Sequence, residues 1–271
     1  MSGPEADRIK NHLGKDEIAT YREQGLVIPR YRLSPEKLAW LREGLTRLIA
    51  DNPNVRGEKL ISAHVRRSAE GVQGNEVFFE FPHDPQILDM VEDLIGSDII
   101  LWGVHMFSKP AGDGKEVPWH QDGHYWPIRP LATCTVWVAI DESTRENGAM
   151  RYIPGSHSGR QYVHFTDNSD RLALNQVLSP GQVEESMARN VVLEPGQMSL
   201  HDVHLVHGSP PNRSTKRRAG LAIRYMPATS HFDRSIKSLD PVADFSTRPI
   251  WLVRGVDRTG QNDFVVGHTP K

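Results

Sequence analysis

One cysteine in 271 residues excludes a disulfide framework within the chain. That residue, Cys134, stands in the apolar run Thr133-Cys134-Thr135-Val136-Trp137-Val138 and reads as a small core side chain. No apolar stretch approaches the roughly 18 residues that a membrane span needs. The N-terminal run MSGPEADRIKNHLGKDE is too polar for a secretory signal, and the last four residues, His268 to Lys271, are not the Ser-Lys-Leu peroxisomal address. A cytoplasmic protein is expected. An excess of one charge is also missing: 32 basic against 34 acidic residues leave a net charge of −2, and the basic residues are spread along the chain, so no footprint for nucleic acid appears. Internal repeats and low-complexity tracts are absent as well. The partner expected is a small molecule, with no nucleic acid and no membrane, bound by a monomer or homodimer.

What is present is an ordinary globular composition, 38% hydrophobic and 24% charged, read as a single domain over 1–271. Residues 1–75 give a helical N-terminal support. Asp16 to Asn52 is helical in pattern apart from the step Gly25-Leu26-Val27-Ile28-Pro29; Ser34 before Pro35 is a helix start, and Leu38, Leu41, Leu45, Leu48 and Ile49 form one apolar face. From about 76 to 227 short β-rich runs alternate with turn residues, predicting strands at Ile99–Met106, Thr133–Ile140, Met150–Ile153, Val191–Leu193, Met198–His201, His204–Val206 and Ala219–Met226. Gly148, Gly155 and Gly196 read as turn formers with positive φ. Strands without interleaved helices favour a mainly β fold, a jelly roll or double-stranded β-helix, over a parallel α/β sheet. Residues 166–190 read as a polar, lid-like insertion with one weak helical stretch, and 228–271 as a C-terminal extension without a sharp signal.

The first sharp chemical feature is Trp119-His120-Gln121-Asp122-Gly123-His124-Tyr125-Trp126. In an extended segment residues two apart project to one side, so His120 and Asp122 present an imidazole and a carboxylate to one ion. Two histidines and one carboxylate on one face of an octahedron leave three positions open, the arrangement of non-haem Fe(II) oxygenases. The segment Gly196–Ser214 offers three histidines, His201, His204 and His207, for the third place. Eleven residues past His207, Arg218 opens a β run, and a guanidinium there suits a dicarboxylate through a planar two-bond contact. His124, His157, His164 and His201 read as hydrogen-bonded loop or core residues.

These pieces, together with Ile18–Ile28, Phe107-Ser108-Lys109-Pro110, Thr135–Asp141 and Glu146-Asn147-Gly148 through His157, resemble the phytanoyl-CoA dioxygenase family of 2-oxoglutarate-dependent oxygenases, in the family's order over nearly the whole chain. The resemblance assigns Fe(II) to His120, Asp122 and His207, since the family's distal histidine precedes Gly-Ser and lies eleven residues before the arginine; His204 is rejected on that spacing. It also implies that Arg218 and Ser209 bind the distal carboxylate of 2-oxoglutarate and that Trp137 lines its pocket. Thr135 shares strand parity with Trp137 and should face inward too. Where the family often has a glutamine, this chain places His105, which becomes a further cosubstrate contact. The presence of Asp122, where halogenating relatives have glycine or alanine, implies hydroxylation.

The resemblance therefore implies Fe(II), 2-oxoglutarate and O2 as cofactor and cosubstrates, with release of succinate and CO2 and attack on a substrate C–H bond. Tyr125 and Trp126 are expected to wall the substrate pocket. If Arg218 faces inward then so does Arg224 by alternation, and an unpaired inward arginine is costly, so Arg224 is expected to meet an anionic substrate group such as a carboxylate or phosphonate. A small polar or anionic substrate is favoured over natural-product tailoring or a long acyl-CoA. From other classes stand a zinc-dependent hydrolase, in which Arg218 would have no role, and a non-catalytic cupin-like binding protein.

Overall fold

The computed structural model describes residues 11–158, 161–236 and 245–268. The first ten residues of the polar N-terminal run, Thr269–Lys271 of the C-terminal tetrapeptide and 237–244 within the expected C-terminal extension lie outside that range.

Helix α1 (Lys15–Gln24) ends on Gly25, whose N–H reaches the Tyr21 carbonyl, and strand β1 (Leu26–Val27) follows. Helix α2 (Pro35–Asp51) starts as its sequence predicts, with the Ser34 hydroxyl accepting from the Lys37 N–H at 3.3 Å. It buries Leu41, Gly44, Leu45 and Leu48, while Ile49, expected on the same face, is exposed. After β2 (Leu60–Ile61), the β-rich texture expected from residue 76 is instead helical: α3 spans Glu76–Glu80 and α4 Pro85–Ile95. The signal for α4 is local, because Asp84 caps it through the Gln86 N–H at 2.9 Å, Pro85 needs no donor, and Ile87, Leu88 and Val91 are buried at helical spacing. The helical support therefore extends to Ile95.

The remaining strands are β3 (Ile99–Lys109), β4 (Val117–Gln121), β5 (Ile128–Arg129), β6 (Cys134–Ala139), β7 (Arg151–Tyr152), β8 (His164–Thr166), β9 (Gln176–Leu178), β10 (Arg189–Asn190), β11 (Met198–Asp202), β12 (Val206–Ser209), β13 (Arg218–Pro227), β14 (His231–Phe232) and β15 (Trp251–Arg254). Two of the expected strands shift: Val191–Leu193 lies just past β10, and the run expected at His204–Val206 begins only at Val206. Gly148, Gly155 and Gly196 have φ of 81°, 75° and 86°.

Among the described residues, two antiparallel sheets make the jelly roll. The larger runs β1-β11-β6-β13-β3-β15, with β2 also on β3; the smaller runs β10-β7-β12-β4. Alternation gives each central strand of the larger sheet two different faces. Outward, Val136, Val138, Leu200, Leu221, Ile223 and Tyr225 pack into one core with α2, α3 and α4. Inward, Trp137, Ala139 and Ala222 pack against Val117 and Tyr152 of the smaller sheet. The strands are thus buried on both faces, which is why they read as continuous apolar runs. One irregularity is placed at the inner face: Arg224 pairs with Gly103 but Tyr225 with Leu101, so Trp102 is an extra residue in β3. Such a bulge re-aims side chains, and both Trp102 and His105 end up facing the interior.

The insertion 166–190 holds most of the β8–β9 hairpin, one 3-10 turn at Glu185–Met187 and strand β10. Its connection is tied to the segment before β4 by Ala173 N–H to Glu116 O at 2.7 Å. No helix among the described residues is long and apolar enough to cross a membrane.

Candidate metal centre and active site

His120 lies on β4 and Asp122 is the first residue of the turn beyond it. The following Gly123 adopts φ 74°, and a Cβ there would press into Val203, so only glycine turns the chain this sharply behind the carboxylate. β12 pairs with β4 so that His207 stands directly opposite His120, and their rings lie 4.3 Å apart between centroids. Ligand atoms of His120, Asp122 and His207 all fall within 4.8 Å of one another, and all three residues are buried.

Their hydrogen bonds set which atoms face inward. The Nδ1 of His120 meets the Pro118 carbonyl at 2.8 Å and that of His207 meets the Leu205 carbonyl at 2.9 Å. A carbonyl can only accept, so each Nδ1 is the donor and each Nε2 keeps a lone pair for a cation. Burial holds the His207 imidazole well below the ordinary histidine range, helped by the neighbouring His120 and His201, so it is neutral and ready to ligate. Burial pushes the Asp122 carboxyl upward, but the positive charge of Arg224 and the close imidazoles of His120, His201 and His207 outweigh it and hold the group well below the usual carboxylate range. Two imidazoles and one carboxylate, buried and convergent, suit a divalent first-row metal.

A cavity of about 440 Å³ opens beside this triad, lined by Thr135, Trp137, His201, Ser209, Arg218 and Ala222 among others. Arg218 is 2% exposed, its Nε has no hydrogen-bond partner, and its guanidinium lies 5.3 Å over the Trp137 ring. Burial lowers its pKa to about 10, so it remains charged at neutral pH. A buried guanidinium without a carboxylate is costly, and an anion entering the cavity would relieve that cost. Thr135 donates from Oγ1 to Asp122 Oδ2 at 3.5 Å, steadying the carboxylate from the facing sheet.

His105 is not in this group. Its Nε2 meets the Glu58 carbonyl at 3.0 Å, its ring stacks on Phe107 at 3.7 Å, and it faces a second cavity. The cosubstrate contact expected of it is therefore not supported. That second cavity, about 720 Å³, shares His120, Asp122, Leu174 and Arg224 with the first and is walled by Trp102, Tyr125 and Trp126. Trp126 meets Trp102 edge-on at 4.3 Å.

Four residues at these cavities or bonded to their walls escaped the sequence reading. Lys109 is fully buried and donates to Ser209 Oγ at 2.7 Å and Pro210 O at 2.6 Å; burial and the nearby Arg218 depress its ammonium well below the ordinary range. Its place opposite Arg218 in the β3–β13 register was open to inference from strand pairing alone. His201, expected to be hydrogen-bonded, is 2% exposed with both ring nitrogens unpartnered and Nε2 3.8 Å from Asp122 Oδ2. Leu174 and Arg248 arrive from the insertion and the C-terminal extension, where no motif marked them. Of the other histidines, His124 stacks on His164 at 4.5 Å, His164 accepts the Gln121 N–H at 3.0 Å, and His157 meets the Arg22 carbonyl at 3.1 Å.

Gly220, between Arg218 and Ala222, leaves the space that the Trp137 ring fills; a Cβ would overlap that ring. Gly220→Ala is expected to displace Trp137, lower stability by about 1–3 kcal/mol through overpacking, and weaken any ligand held under Arg218. A thermal melt and a ligand titration, both unchanged, would contradict this packing.

A family model described as Phytanoyl-CoA dioxygenase (PhyH) matches residues 21–220. The chain is 27% identical over 230 residues to the peroxisomal phytanoyl-CoA dioxygenase of Homo sapiens, covering 83% of this chain and 65% of that protein. It thus spans just under two thirds of that relative's length. It is 29% identical over 226 residues to a probable alpha-ketoglutarate-dependent hypophosphite dioxygenase of Stutzerimonas stutzeri, covering 77% of each. Among solved structures, the apo form of the non-heme monooxygenase ThoJ superposes with a TM-score of 0.69 at 28% identity, over 89% of this chain and 85% of that one.

Proposed function

The chain belongs to the phytanoyl-CoA dioxygenase family, and from that premise we propose that it is an Fe(II)- and 2-oxoglutarate-dependent dioxygenase that hydroxylates a C–H bond of a small, polar or anionic organic molecule. The observation that carries this reading is the unpaired, buried guanidinium of Arg218 facing the same cavity as the His120, Asp122 and His207 triad. A metal face with three open positions and a cation set deep beside it match a keto acid that chelates at one end and carries a carboxylate at the other.

In this reading His120 and His207 hold Fe(II) through Nε2 and Asp122 through its carboxylate. Arg218 and the Ser209 hydroxyl bind the distal carboxylate of 2-oxoglutarate, Trp137 forms the wall beneath it, and Thr135 keeps Asp122 in place. The bound iron and cosubstrate together supply an oxidant from O2, with succinate and CO2 as the other products. The protein's part is to orient: the first cavity receives the cosubstrate, and the second, on the other side of His120 and Asp122, receives the substrate against Tyr125 and Trp126. The aromatic rings of Trp137 in the first and of Trp102, Tyr125 and Trp126 in the second shield the reacting centre from water. No side-chain acid or base is required. A zinc hydrolase would leave Arg218 buried without a counter-charge.

The test is an anaerobic titration of metal-free protein with Fe(II) and then 2-oxoglutarate, followed by admission of air and assay of succinate. A weak visible metal-to-ligand charge-transfer band that appears only with both, and succinate formation that a panel of small organic acids stimulates, are the expected results. Metal binding without the band would refute the reading.

A further inference from the structure

The second cavity contains more positive charge than its function as an aromatic pocket explains. Arg224 reaches it from β13, with its side chain 12% exposed. Its guanidinium lies against a pair of tryptophans, 5.2 Å from the Trp126 ring centre and 5.9 Å from that of Trp102. The nearest carboxylate, Asp122, is 3.9 Å from Nε, beyond hydrogen-bond reach, and Nε is buried without a partner. Once Asp122 ligates a metal, its charge is committed there, and Arg224 faces the cavity uncompensated.

A second guanidinium arrives from an unrelated part of the chain. Arg248 is 8% exposed, its plane lies 5.0 Å over Phe245, and its Nη2 is paired with the equally buried Glu70. Arg224, Arg248 and Glu70 all line the cavity, so leaving the metal-bound Asp122 aside, its charged side chains sum to one positive charge. The Glu70–Arg248 pair also borders an outer depression lined by Ser62, Arg67 and Thr247. The pair is therefore the partition between the interior and the surface.

A buried positive charge above aromatic walls is stable only with a counter-anion, and the one carboxylate among the described residues that faces Arg224, Asp122, is the one that the proposed metal would claim. We propose that Arg224 and Arg248 form a seat for an anionic oxyacid group, carboxylate or phosphoryl, of the substrate, and that Glu70 occupies Arg248 until that group replaces it. This inference rests on the oxygenase reading only for what happens at the metal side. Two forks converging on one group give the bidentate recognition that a single lysine cannot, while Trp102, Trp126 and Tyr125 cover the apolar body. Because Arg224 lies beside Asp122, the C–H bond attacked is within a few bonds of the anionic group.

The seat is tested by tryptophan fluorescence titration of protein saturated with Fe(II) and 2-oxoglutarate under anaerobic conditions, using benzoate and methylphosphonate as anionic probes and benzamide as the neutral one. The anions are expected to bind saturably and benzamide not to, and the tighter anion names the group. Arg248→Gln and Arg224→Gln should each weaken the anion by about ten- to hundredfold. Glu70→Gln should tighten it, since it releases Arg248; a merely structural ion pair would make Glu70→Gln and Arg248→Gln fail alike. Benzamide binding as well as benzoate, or Glu70→Gln weakening the anion, would overturn the proposal while the charge-transfer band still reports on the iron and 2-oxoglutarate. If the band is missing but Arg248→Gln still selectively weakens the anion, the seat stands and the oxygenase reading falls.

Discussion

With His207 replaced by alanine, the protein is expected to lose Fe(II) binding at micromolar metal and with it the charge-transfer band and all succinate formation. The reason is geometric. His207 stands opposite His120 across the β4–β12 ladder and closes a set of three ligand atoms within 4.8 Å. Two remaining ligands cannot define the open face that a bidentate cosubstrate needs. Among the described residues His201 is the only other histidine at the metal-side cavity, but it belongs to the facing sheet and is not part of that set. His204→Ala is expected to keep the metal, since His204 lies in the connection between β11 and β12 and lines neither cavity. Metal analysis and the band, measured on the two variants side by side, check this; an iron-competent His207→Ala protein would remove the proposed centre.

Arg218→Ala should keep iron and lose 2-oxoglutarate. Removing one partner of a buried charge pair costs about 2–5 kcal/mol, which is at least roughly thirtyfold in affinity. Arg218→Lys should recover little of it, because the ammonium cannot form two parallel bonds to a carboxylate and Lys109 already stands nearby. The same residue makes a second, opposite expectation. Without cosubstrate the guanidinium is buried and unpaired, and the depression of its pKa to about 10 corresponds to roughly 3 kcal/mol of charge burial. Arg218→Met should therefore not lower the melting temperature of the cosubstrate-free protein, while it abolishes the rise that 2-oxoglutarate causes in the wild type. A large loss of stability in Arg218→Met without ligand would mean that the arginine is structural.

The parts of the site that lie on strands were legible because a strand has period two. His120 with Asp122, Thr135 with Trp137, and Arg218 with Arg224 each share a parity, and each pair reaches the same interior. Helix α2 was legible from its serine cap and proline. Helix α4 has the same kind of start at Asp84 and Pro85, yet it was hidden under the expectation of a β-rich region. His105 stands on its expected strand, and the extra residue at Trp102 and the contact with Glu58 set it at the second cavity.

The amino-acid sequence by itself determined the family and the jelly-roll class and picked out His120, Asp122, His207 and Arg218, which the fold gathers at one cavity, because these depend on residue types at short, regular spacings. Only the tertiary structure decided what lies around them. Lys109 opposite Arg218, His201 beside Asp122, Leu174 from the insertion, and Glu70 with Arg248 from segments 178 residues apart meet at the centre through pairing and packing. Such contacts have no spacing to read, since what joins them is the burial of charge and apolar surface in a shared interior, which no local stretch of chain encodes.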